Sequence, residues 1–561
     1  MIKPGRVRGG ADVAARVPAV AITQAVLGDR PRGARAALVD ATSGRAVSYA
    51  ELSATVRSAA AGLARSGIGG GDVVAVHLPD VPEIAVALHA VLAAGAVATP
   101  VRPTAHAAAM KRQLAETGAR MVITWPVLLD IALEAVEDTQ VERVVCFGEE
   151  PEAEPFSALL AAGDHDLGAG GGSSGGNRRA GPAEGARPLA PHSEPYADPE
   201  TDPALIPYTR GTTGRPEGIR LTHHNLVTAI VQLVGAGLIS AADTVLSTIP
   251  LTDVTGLVTG LHLGLYAGAA VVARPGTGRL DLLRTLRDRR VTFLLCTPDV
   301  VETLAFDREV ARYGLRSLRL IVSTGAPLRP DAARACAARL RCPVRQAYGL
   351  AEAAGITHVN LRGAQEGTLD SVGRGLPWVD WRIVDPRSGA EQPSYQPGEL
   401  LVRGPALARS RADGRPLPEW LPTGDAAFVD EHGRLYIIGR MTGTGPRLTD
   451  DPQALLEAHP AVREAAVIPI PDADLGLSPH AFAVLREPAA GADLLAYLNR
   501  QLPRSQQVRA VHLVPGIPRT PSGRIVRRAL VQRAGLADEN QQAKSPDASS
   551  QTRDTGETRD G

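Results

Sequence analysis

A glycine- and threonine-rich loop is the clearest chemical feature of this 561-residue chain. Residues 208–218 read YTRGTTGRPEG. The glycines and the proline disfavour regular structure, and the hydroxyls and backbone N–H groups lie close together, a composition that suits an anion such as a polyphosphate. The spacing is not that of the dinucleotide fingerprint, and no Gly-Lys-Ser/Thr ends the loop as in nucleoside triphosphatases. Alone, such a loop is more often an ordinary turn, so its interpretation depends on the rest of the sequence.

The composition excludes several classes of protein. A formal net charge of zero gives no general attraction to nucleic acid or to an anionic membrane. At 44% hydrophobic residues the chain can form several packed domains. The four cysteines lack the paired spacing of a zinc site or a disulfide framework, so we expect buried free thiols in a reducing, cytoplasmic compartment. They are Cys146, Cys296, Cys336 and Cys342.

One apolar segment raises the question of a membrane. Residues 254–272 carry no formal charge and have glycines at 256, 260, 264 and 268, a spacing found in packed membrane helices. The same spacing suits a close-packed core helix followed by a strand, which is the interpretation we favour. The N-terminal apolar segment lacks a small-x-small cleavage site, which disfavours a signal peptide. We therefore predict no stable membrane insertion.

The remaining chain predicts a layered α/β organisation with parallel strands. A helix beginning near Ser48 is followed by strands at 73–78, 96–100 and 121–124 that alternate with helices. Beyond the loop, a helix capped near Thr222 and strands at 290–295 and 318–323 continue the alternation. Residues from about 150 to 202 include a Gly/Ser run and predict a flexible insertion. The predicted domains are 1–439 and 440–537, with a disordered tail at 538–561.

Six further segments accompany the loop in a fixed order. Together they resemble the adenylate-forming superfamily, the acyl-CoA and aryl-CoA synthetases, and most closely its bacterial 4-coumarate-CoA ligase-like members. The resemblance covers about residues 20–530. The segments are IPLTDVTG at 249–256, STGAPL at 323–328, QAYGLAEA at 346–353, WLPTGD at 420–425, YIIGR at 436–440 and PRTPSGRI at 518–525.

This resemblance implies a fold and a reaction. The expected fold is a large N-terminal domain of two α/β subdomains and a β-barrel, with a small mobile α+β C-terminal domain. In the family's reaction a carboxylate attacks the α-phosphorus of Mg-ATP, and a thiol then displaces AMP from the acyl-adenylate. The expected ligands are a small-molecule carboxylic acid, ATP, Mg²⁺ and CoA, with a carrier protein as an alternative acceptor.

The resemblance also implies site residues. Alone, Glu352 would be a solvated carboxylate at a helix start and Asp425 a turn residue; their place among the motifs gives them roles. The implied catalytic residues are Arg524, Glu352 and Arg440, with Glu352 also binding Mg²⁺. The implied phosphate-binding residues are Thr209, Gly211, Thr212, Thr213 and Gly214. The implied nucleotide-binding residues are Gly325, Ala326, Gln346, Ala347, Tyr348, Gly349, Asp425, Ile437 and Arg440. The implied acid pocket contains Asp253, Gly256, Ala354, Gly355 and Ile356.

Several positions depart from the family pattern. Glu217 stands where the phosphate loop usually has a lysine, and one unit-charge interaction at ~5 Å and an effective dielectric of ~20 is worth about 3 kcal/mol. We therefore expect weaker ATP binding unless Glu217 points away or Arg210 supplies the charge. Asp253 replaces a histidine, Ala351 a threonine, and Arg524 the catalytic lysine, in a chain with only three lysines. Arginine keeps that charge but presents it differently.

Three functions remain open on these grounds. The chain is a CoA ligase with compensated substitutions, an adenylating enzyme with another acceptor, or an impaired relative that binds nucleotide or acyl ligand. Pyrophosphate release separates the first two from the third, and thioester formation separates the first from the second.

Overall fold

A computed structural model describes most of the chain. The described residues are 7–8, 17–28, 32–169, 198–210, 216–276, 278–361, 371–441, 452–457, 459–472, 476–502, 507–519, 525–526 and 529–530. Two compact units are present. The first comprises Met1–Pro446 with Pro521–Gly523, and the second Arg447–Thr520 with Arg524–Gly561. The predicted arrangement of a large N-terminal and a small C-terminal part is confirmed.

The described residues include thirteen α-helices. They are α1 Ile22–Leu27, α2 Tyr49–Arg65, α3 Glu83–Ala93, α4 Ala107–Thr117, α5 Leu129–Val136, α6 Phe156–Ala169, α7 His223–Gly235, α8 Leu263–Ala267, α9 Arg279–Asp288, α10 Pro298–Phe306, α11 Pro330–Leu340, α12 Pro452–Glu457 and α13 Gly491–Gln501. Single turns of 3₁₀ helix occupy Pro126–Leu128, Arg308–Arg312 and Ala351–Ala353, and a π-helical segment, Gly256–His262, precedes α8.

The strands form four sheets. They are β1 Val7–Arg8, β2 Ala36–Asp40, β3 Ala46–Ser48, β4 Val73–His77, β5 Val97–Pro100, β6 Ala119–Thr124, β7 Arg143–Cys146, β8 Glu154–Pro155, β9 Pro203–Leu205, β10 Tyr208–Arg210, β11 Pro216–Thr222, β12 Thr244–Ser247, β13 Ala270–Ala273, β14 Phe293–Cys296, β15 Leu320–Ser323, β16 Val344–Leu350, β17 Gly355–Val359, β18 Arg374–Gly375, β19 Asp380–Val384, β20 Gly398–Arg403, β21 Ser410–Arg411, β22 Leu421–Val429, β23 Leu435–Arg440, β24 Val462–Asp472, β25 Gly476–Leu485 and β26 Ala510–Leu513.

Two nine-stranded sheets form the two α/β layers of the first unit. The first sheet has the order β10-β11-β9-β5-β4-β6-β7-β8, with β21 paired to β11. The second has the order β18-β17-β16-β15-β14-β12-β13-β2-β3 and is parallel from β16 through β2. Every residue of β4 and of β14 is buried. Such continuous apolar runs are typical of parallel strands covered on both faces.

A five-stranded antiparallel sheet, β1-β19-β20-β22-β23, stands where the β-barrel was expected. The second unit contains a three-stranded sheet, β24-β25-β26. Its helices α12 and α13 pack on that sheet through Leu456, Leu494 and Leu498, which are fully buried. The small unit therefore has an α+β core of its own.

Helix starts in the first unit follow local capping chemistry. The hydroxyl of Ser48 accepts the N–H of Glu51, and the Glu51 carboxylate accepts the N–H of Ser48, which caps α2. Thr222 and Asn225 form the same reciprocal pair at α7. These caps satisfy backbone groups that a helix end leaves unpaired, and both starts agree with the sequence prediction.

The apolar segment 254–272 is a buried helix followed by strand β13, as favoured from the sequence. Gly260 packs against Ser247 and Gly264 against Val271, where a Cβ would lie 2.9 and 2.5 Å from their side chains. Within the described residues, no helix has the length and apolarity needed to cross a membrane. The four cysteines are buried free thiols.

The segment predicted as a flexible insertion, about 150–202, contains regular structure at its start. Residues 154–169 form β8 and α6, and α6 packs on α2 through Phe156 and Leu159, which are only 3% and 1% exposed. The sequence did not predict these elements, because the Gly/Ser run dominates the composition of the segment. The few apolar residues of α6 are enough for packing, because α2 presents a face of small residues. Residues 170–197 lie outside the described part of the chain.

The contact between α2 and α6 gives a test of this correction. A Cβ at Gly62 would lie 2.0 Å from the carbonyl oxygen of Leu159. We expect Gly62→Ala to lower the free energy of unfolding by about 2 kcal/mol or more, because backbone atoms must separate. Chemical denaturation measures this change. Gly70→Ala is the control, since nothing lies within 4 Å of a Cβ there; equal stability of the two variants would contradict the packing of α6.

Candidate active site

Unpaired polar side chains gather where parallel strands of the second sheet end. Thr248 follows β12, Thr297 follows β14, Ser323 ends β15 and Gln346 lies in β16. Each has a buried side-chain oxygen with no hydrogen-bond partner in the described part of the chain. Buried polar groups without partners are costly, and ligands of open α/β sheets bind beyond the carboxyl ends of the strands. This edge is therefore suited to a polar ligand.

A three-residue cluster links this edge to the five-stranded sheet. The hydroxyl of Tyr348, on β16, donates to Oδ2 of Asp425 at 2.6 Å. Arg440, opposite Asp425 in the register of β22 and β23, places its guanidinium 3.0 Å from Oδ1. Burial raises the pKa of Tyr348 well above its usual value, and the nearby Asp425 carboxylate raises it further. Tyr348 therefore acts as a hydrogen-bond donor.

The part of β22 that carries Asp425 is fixed by further hydrogen bonds. The hydroxyl of Thr423 donates to the carbonyl of Leu400 at 2.8 Å and accepts the N–H of Asp425 at 3.1 Å. Gly424, with φ of 67°, donates its N–H to Oε1 of Glu399 at 3.2 Å. Only 17% of the Asp425 side chain is exposed, against 60% for Arg440. Burial raises the pKa of Asp425, with Arg440 and Tyr348 opposing the rise.

Glu352 lies in the 3₁₀ turn immediately after β16. Its carbonyl accepts the N–H of Ala408 at 2.7 Å, which ties the turn to the segment after β20. Burial raises the pKa of its carboxyl, while the charge of Arg440 lowers it and that of Asp425 raises it. Glu352 and Asp425 thus share one electrostatic environment, in which Arg440 is the nearby cation.

A metal ion at Glu352 would depend on ligands from the substrate. Among the described residues, no group of three or more His, Cys, Asp and Glu side chains is arranged to hold a metal. Mg²⁺ commonly binds through one or two carboxylates together with substrate phosphates and water. A single half-buried carboxylate facing a polar edge fits that mode of binding.

Four of the other predicted nucleotide residues lie at this edge of the second sheet, and Ile437 lies on the five-stranded sheet. Gly325 has φ of 91° and follows β15, and Ala326 is next to it. Ala347 and Gly349 lie on β16 beside Tyr348, and Ile437 packs against the main core from β23. Gly349 cannot carry a side chain, because a Cβ would lie 2.1 Å from the carbonyl oxygen of Gly355.

The predicted acid-pocket residues converge on the start of the helix at 254–267. Gly355, with φ of 112°, begins β17, and its missing Cβ would lie 3.8 Å from the hydroxyl oxygen of Thr259. Ala354 adopts a left-handed conformation with φ of 52°, and Ile356 is buried. A Cβ at Gly256 would lie 2.2 Å from the carbonyl oxygen of Pro250. The structure thus brings these residues together.

Asp253 has a structural role that the sequence analysis missed. Its Oδ1 accepts the N–H of Thr255 at 3.0 Å, so it caps the helix that begins at Val254. A negative group at a helix N-terminus interacts favourably with the helix, which gives this aspartate a structural reason to stand there. Such a cap could have been predicted from the sequence, because the aspartate follows a turn and precedes a helix.

Glu217 has a charged partner that the sequence did not indicate. Glu217 forms an ion pair with Arg411 of β21, the strand that pairs with β11. The negative charge is therefore balanced by a neighbour from a distant part of the sequence. The side chain of Arg210, the other suggested source of charge, lies outside the described residues.

The phosphate loop is described only at its two ends. Thr209 lies on β10, and its hydroxyl oxygen is buried without a partner among the described residues. The hairpin of β10 and β11 pairs Thr209 with Glu217. Gly211, Thr212, Thr213, Gly214 and the C-terminal Arg524 lie outside the described residues.

Comparisons with known proteins identify the family. Residues 27–410 match the AMP-binding enzyme family and residues 453–524 its C-terminal domain. The chain therefore belongs to the AMP-binding enzyme family, the adenylate-forming superfamily that the motifs indicated.

Relatives of the chain include 4-coumarate–CoA ligases. The chain is 30% identical over 525 residues to 4-coumarate–CoA ligase 5 of Oryza sativa subsp. japonica, covering 90% of this chain and 92% of that protein. It is 29% identical over 533 residues to 4-coumarate–CoA ligase CCL1 of Humulus lupulus, with 90% and 92% covered. The structure resembles a benzoate CoA ligase from Burkholderia xenovorans LB400, with TM-score 0.72, 23% identity, and 91% and 99% covered. It also resembles ATP-bound MatB from Rhodopseudomonas palustris, with TM-score 0.71, 25% identity, and 91% and 98% covered.

The pair Glu217–Arg411 predicts the effect of restoring the family's lysine. Because Glu217→Lys would place a second cation beside Arg411, we expect this variant to lower the free energy of unfolding by about 1 kcal/mol. The double variant Glu217→Lys/Arg411→Glu should recover most of that loss. A double-mutant cycle by urea denaturation measures the coupling. Additive effects of the two substitutions would contradict the ion pair.

Proposed function

We propose that this protein is an ATP-dependent ligase that activates an acyl or aryl carboxylic acid as its adenylate and transfers the acyl group to coenzyme A. The main support is the cluster of Tyr348, Asp425 and Arg440 at the carboxyl edge of the second sheet, with Glu352 in the same electrostatic environment. Family membership and CoA-ligase relatives point to the same reaction.

The nucleotide is held from both ends in this proposal. Asp425 accepts hydrogen bonds from the ribose hydroxyls, because a carboxylate can accept more bonds than the two it makes to Tyr348 and Arg440. Tyr348 and the segment around Gly325 line the adenine site. At the triphosphate end of the nucleotide, the hydroxyl of Thr209 donates to a phosphate oxygen. This hydroxyl has no partner among the described residues. Thr212, Thr213 and the backbone N–H groups of Gly211 and Gly214 complete the phosphate site.

The first step forms an acyl–phosphate bond. A carboxylate oxygen of the acid attacks the α-phosphorus, the bond from that phosphorus to the bridging oxygen of the β-phosphate breaks, and pyrophosphate leaves. Glu352 holds Mg²⁺, which when bound neutralises charge on the triphosphate. Arg440 and Arg524 supply further positive charge where oxygens gain charge in the transition state.

The second step consumes the adenylate. The thiol of coenzyme A loses its proton and attacks the acyl carbon; the acyl–oxygen bond breaks, and AMP leaves as the other product. The acid is placed for both steps by a pocket of small residues, Gly256, Ala354 and Gly355, beside Ile356 and the capped helix start at Asp253. Small residues leave room for the acid directly beside the β16–β17 turn.

A carboxylic-acid panel tests the proposal. With Mg-ATP, at least one aromatic, hydroxycinnamic or aliphatic acid should release pyrophosphate, and CoA should then yield a thioester seen by mass spectrometry. Asp425→Ala should lower kcat/KM by about 10- to 100-fold, since hydrogen bonds to a charged group are worth about 1.5–3 kcal/mol. Glu431→Ala is the control, because Glu431 is 67% exposed in the turn between β22 and β23.

The outcomes separate the three functions left open by the sequence. Pyrophosphate without thioester would indicate another acceptor, such as a carrier protein or an amine. Nucleotide binding without pyrophosphate would indicate an impaired relative. Failure to bind ATP or AMP at millimolar concentration would overturn the nucleotide site itself.

The raised pKa values of Glu352 and Asp425 predict a pH dependence. Both groups bind ligand as anions, so nucleotide affinity should fall with decreasing pH in a step closer to neutrality than an ordinary carboxyl pKa of about 4. The sign for stability is opposite. Because their pKa values are raised on folding, the two groups favour the ligand-free fold at low pH, and this contribution is lost as pH rises.

Calorimetry of AMP binding from pH 4.5 to 8 measures the affinity step, and Asp425→Asn provides the comparison. The amide cannot ionise, so the variant should bind more weakly with a shallower pH dependence. A wild-type affinity that is constant over this range would contradict the raised pKa values.

A further inference from the structure

We infer that Asn225 is a positioning residue that anchors residues 404–412, here called the bridging segment, and that this segment fixes the Glu352 turn relative to the hairpin of β10 and β11. The role of that geometry in binding a triphosphate rests on the proposed function; the contacts themselves do not. Asn225 is not among the site residues that the motifs implied, and it lies in the first turn of α7, directly after β11.

The side-chain amide of Asn225 has a partner on each of its polar atoms. Its Oδ1 accepts the N–H of Thr222 at 2.9 Å, which caps α7. Its Nδ2 donates to the carbonyl oxygen of Pro405 at 2.8 Å and to that of Leu407 at 3.0 Å. Only 4% of Asn225 is exposed, so a lost bond would leave a buried polar group unpaired. One buried amide therefore joins the start of α7 to the bridging segment.

The bridging segment in turn holds the turn that carries Glu352. Leu407 donates its N–H to the carbonyl of Gly404 at 3.2 Å, which closes a tight turn. The next residue, Ala408, donates its N–H to the carbonyl of Glu352 at 2.7 Å. Leu407 and Ala408 are both buried. A displacement of the carbonyl groups that Asn225 holds therefore moves Ala408, and the Glu352 turn with it.

The other end of the bridging segment pairs with the hairpin. Its strand β21 is antiparallel to β11, with Arg411 opposite Ile219. Ala412 donates its N–H to the carbonyl of Gly218 at 2.8 Å. Strand β11 also contacts the 3₁₀ turn that contains Glu352. The bridging segment thus joins the hairpin to the Glu352 turn, and Asn225 anchors it between these two attachments.

This arrangement places the triphosphate end of the proposed nucleotide site under one constraint. Thr209 of the hairpin and Glu352 are the described residues assigned to that end. The adenosine end depends instead on Tyr348 and Asp425, which are joined to each other by their own hydrogen bond. Loss of the Asn225 anchor should therefore weaken binding of Mg-ATP more than binding of AMP.

Asn225→Asp tests this inference. The carboxylate keeps an oxygen for the N–H of Thr222, but it has no donor and places an oxygen against two carbonyl oxygens. At pH 7 the amide of Ala408 should exchange deuterium at least about tenfold faster in the variant than in wild type, because the bridging segment opens more often. In calorimetry the Kd for Mg-ATP should rise at least about fivefold, and the Kd for AMP without Mg²⁺ should change less than about twofold.

Thr222→Ala is the matched control. It removes the hydroxyl that accepts the backbone N–H of Asn225 at 3.2 Å, so it weakens the same helix start without touching the bonds made by Nδ2. This variant should be less stable than wild type, while exchange at Ala408 and both nucleotide affinities stay as in wild type. Asn225→Ala is the second test variant, because it removes the two donors without adding a charge, and it should also speed exchange at Ala408.

The outcomes distinguish this inference from the proposed function. A wild-type Ala408 amide that exchanges as fast as an unprotected amide overturns the inference, even if no variant folds. Wild-type exchange in the two Asn225 variants overturns it as well, and so does an equal loss of affinity for Mg-ATP and AMP or the same changes in Thr222→Ala. Faster exchange in the Asn225 variants of a protein that binds neither nucleotide supports the Asn225 anchor and contradicts the nucleotide site of the proposed function instead.

Discussion

The hydrogen bond between Tyr348 and Asp425 is the interaction on which the candidate site depends. It joins β16 of the parallel sheet to β22 of the antiparallel sheet at 2.6 Å, with Arg440 on the other carboxylate oxygen. Without it, the two sheets could present their polar groups independently. Burial makes Asp425 costly to ionise, and the hydrogen bond from Tyr348 and the charge of Arg440 offset part of that cost.

Much of the fold followed from local chemistry in the sequence. The cap residues Ser48 and Thr222 marked helix starts correctly because N-capping is decided within four residues. The buried strands β4 and β14 were visible as continuous apolar runs, and the small residues at 256–268 as a close-packed helix. The predicted site residues at the ends of β15 and β16 came from the order of the motifs along the chain. A family resemblance supplies that order, whereas hydrophobic periodicity does not.

Most contacts that the sequence did not predict involve partners distant in sequence. Glu217 is balanced by Arg411, Asn225 holds Leu407, and α6 packs on α2 about a hundred residues earlier; no local pattern encodes these pairings. Asp253 is different, because its role as a helix cap was readable locally but was hidden by comparison with the family's histidine. Asp253 departs from the family motif and was interpreted as a change in chemistry, whereas the structure gives it a role in capping a helix.

The scarcity of lysine changes how such a site can be built. A lysine ammonium is a compact charge, whereas arginine brings a planar group with several donors, and here Arg440, Arg411 and Arg274 each pair with a carboxylate on a neighbouring element. Two of these three cations also act on carboxyls whose pKa values are raised by burial, Arg440 on Asp425 and Arg274 on Asp80. In both cases the cation reduces the rise without abolishing it. Burial and a nearby cation therefore have opposite effects on the ionisation of these carboxyls. A ligand's charge has more effect on them than it would on exposed carboxyls.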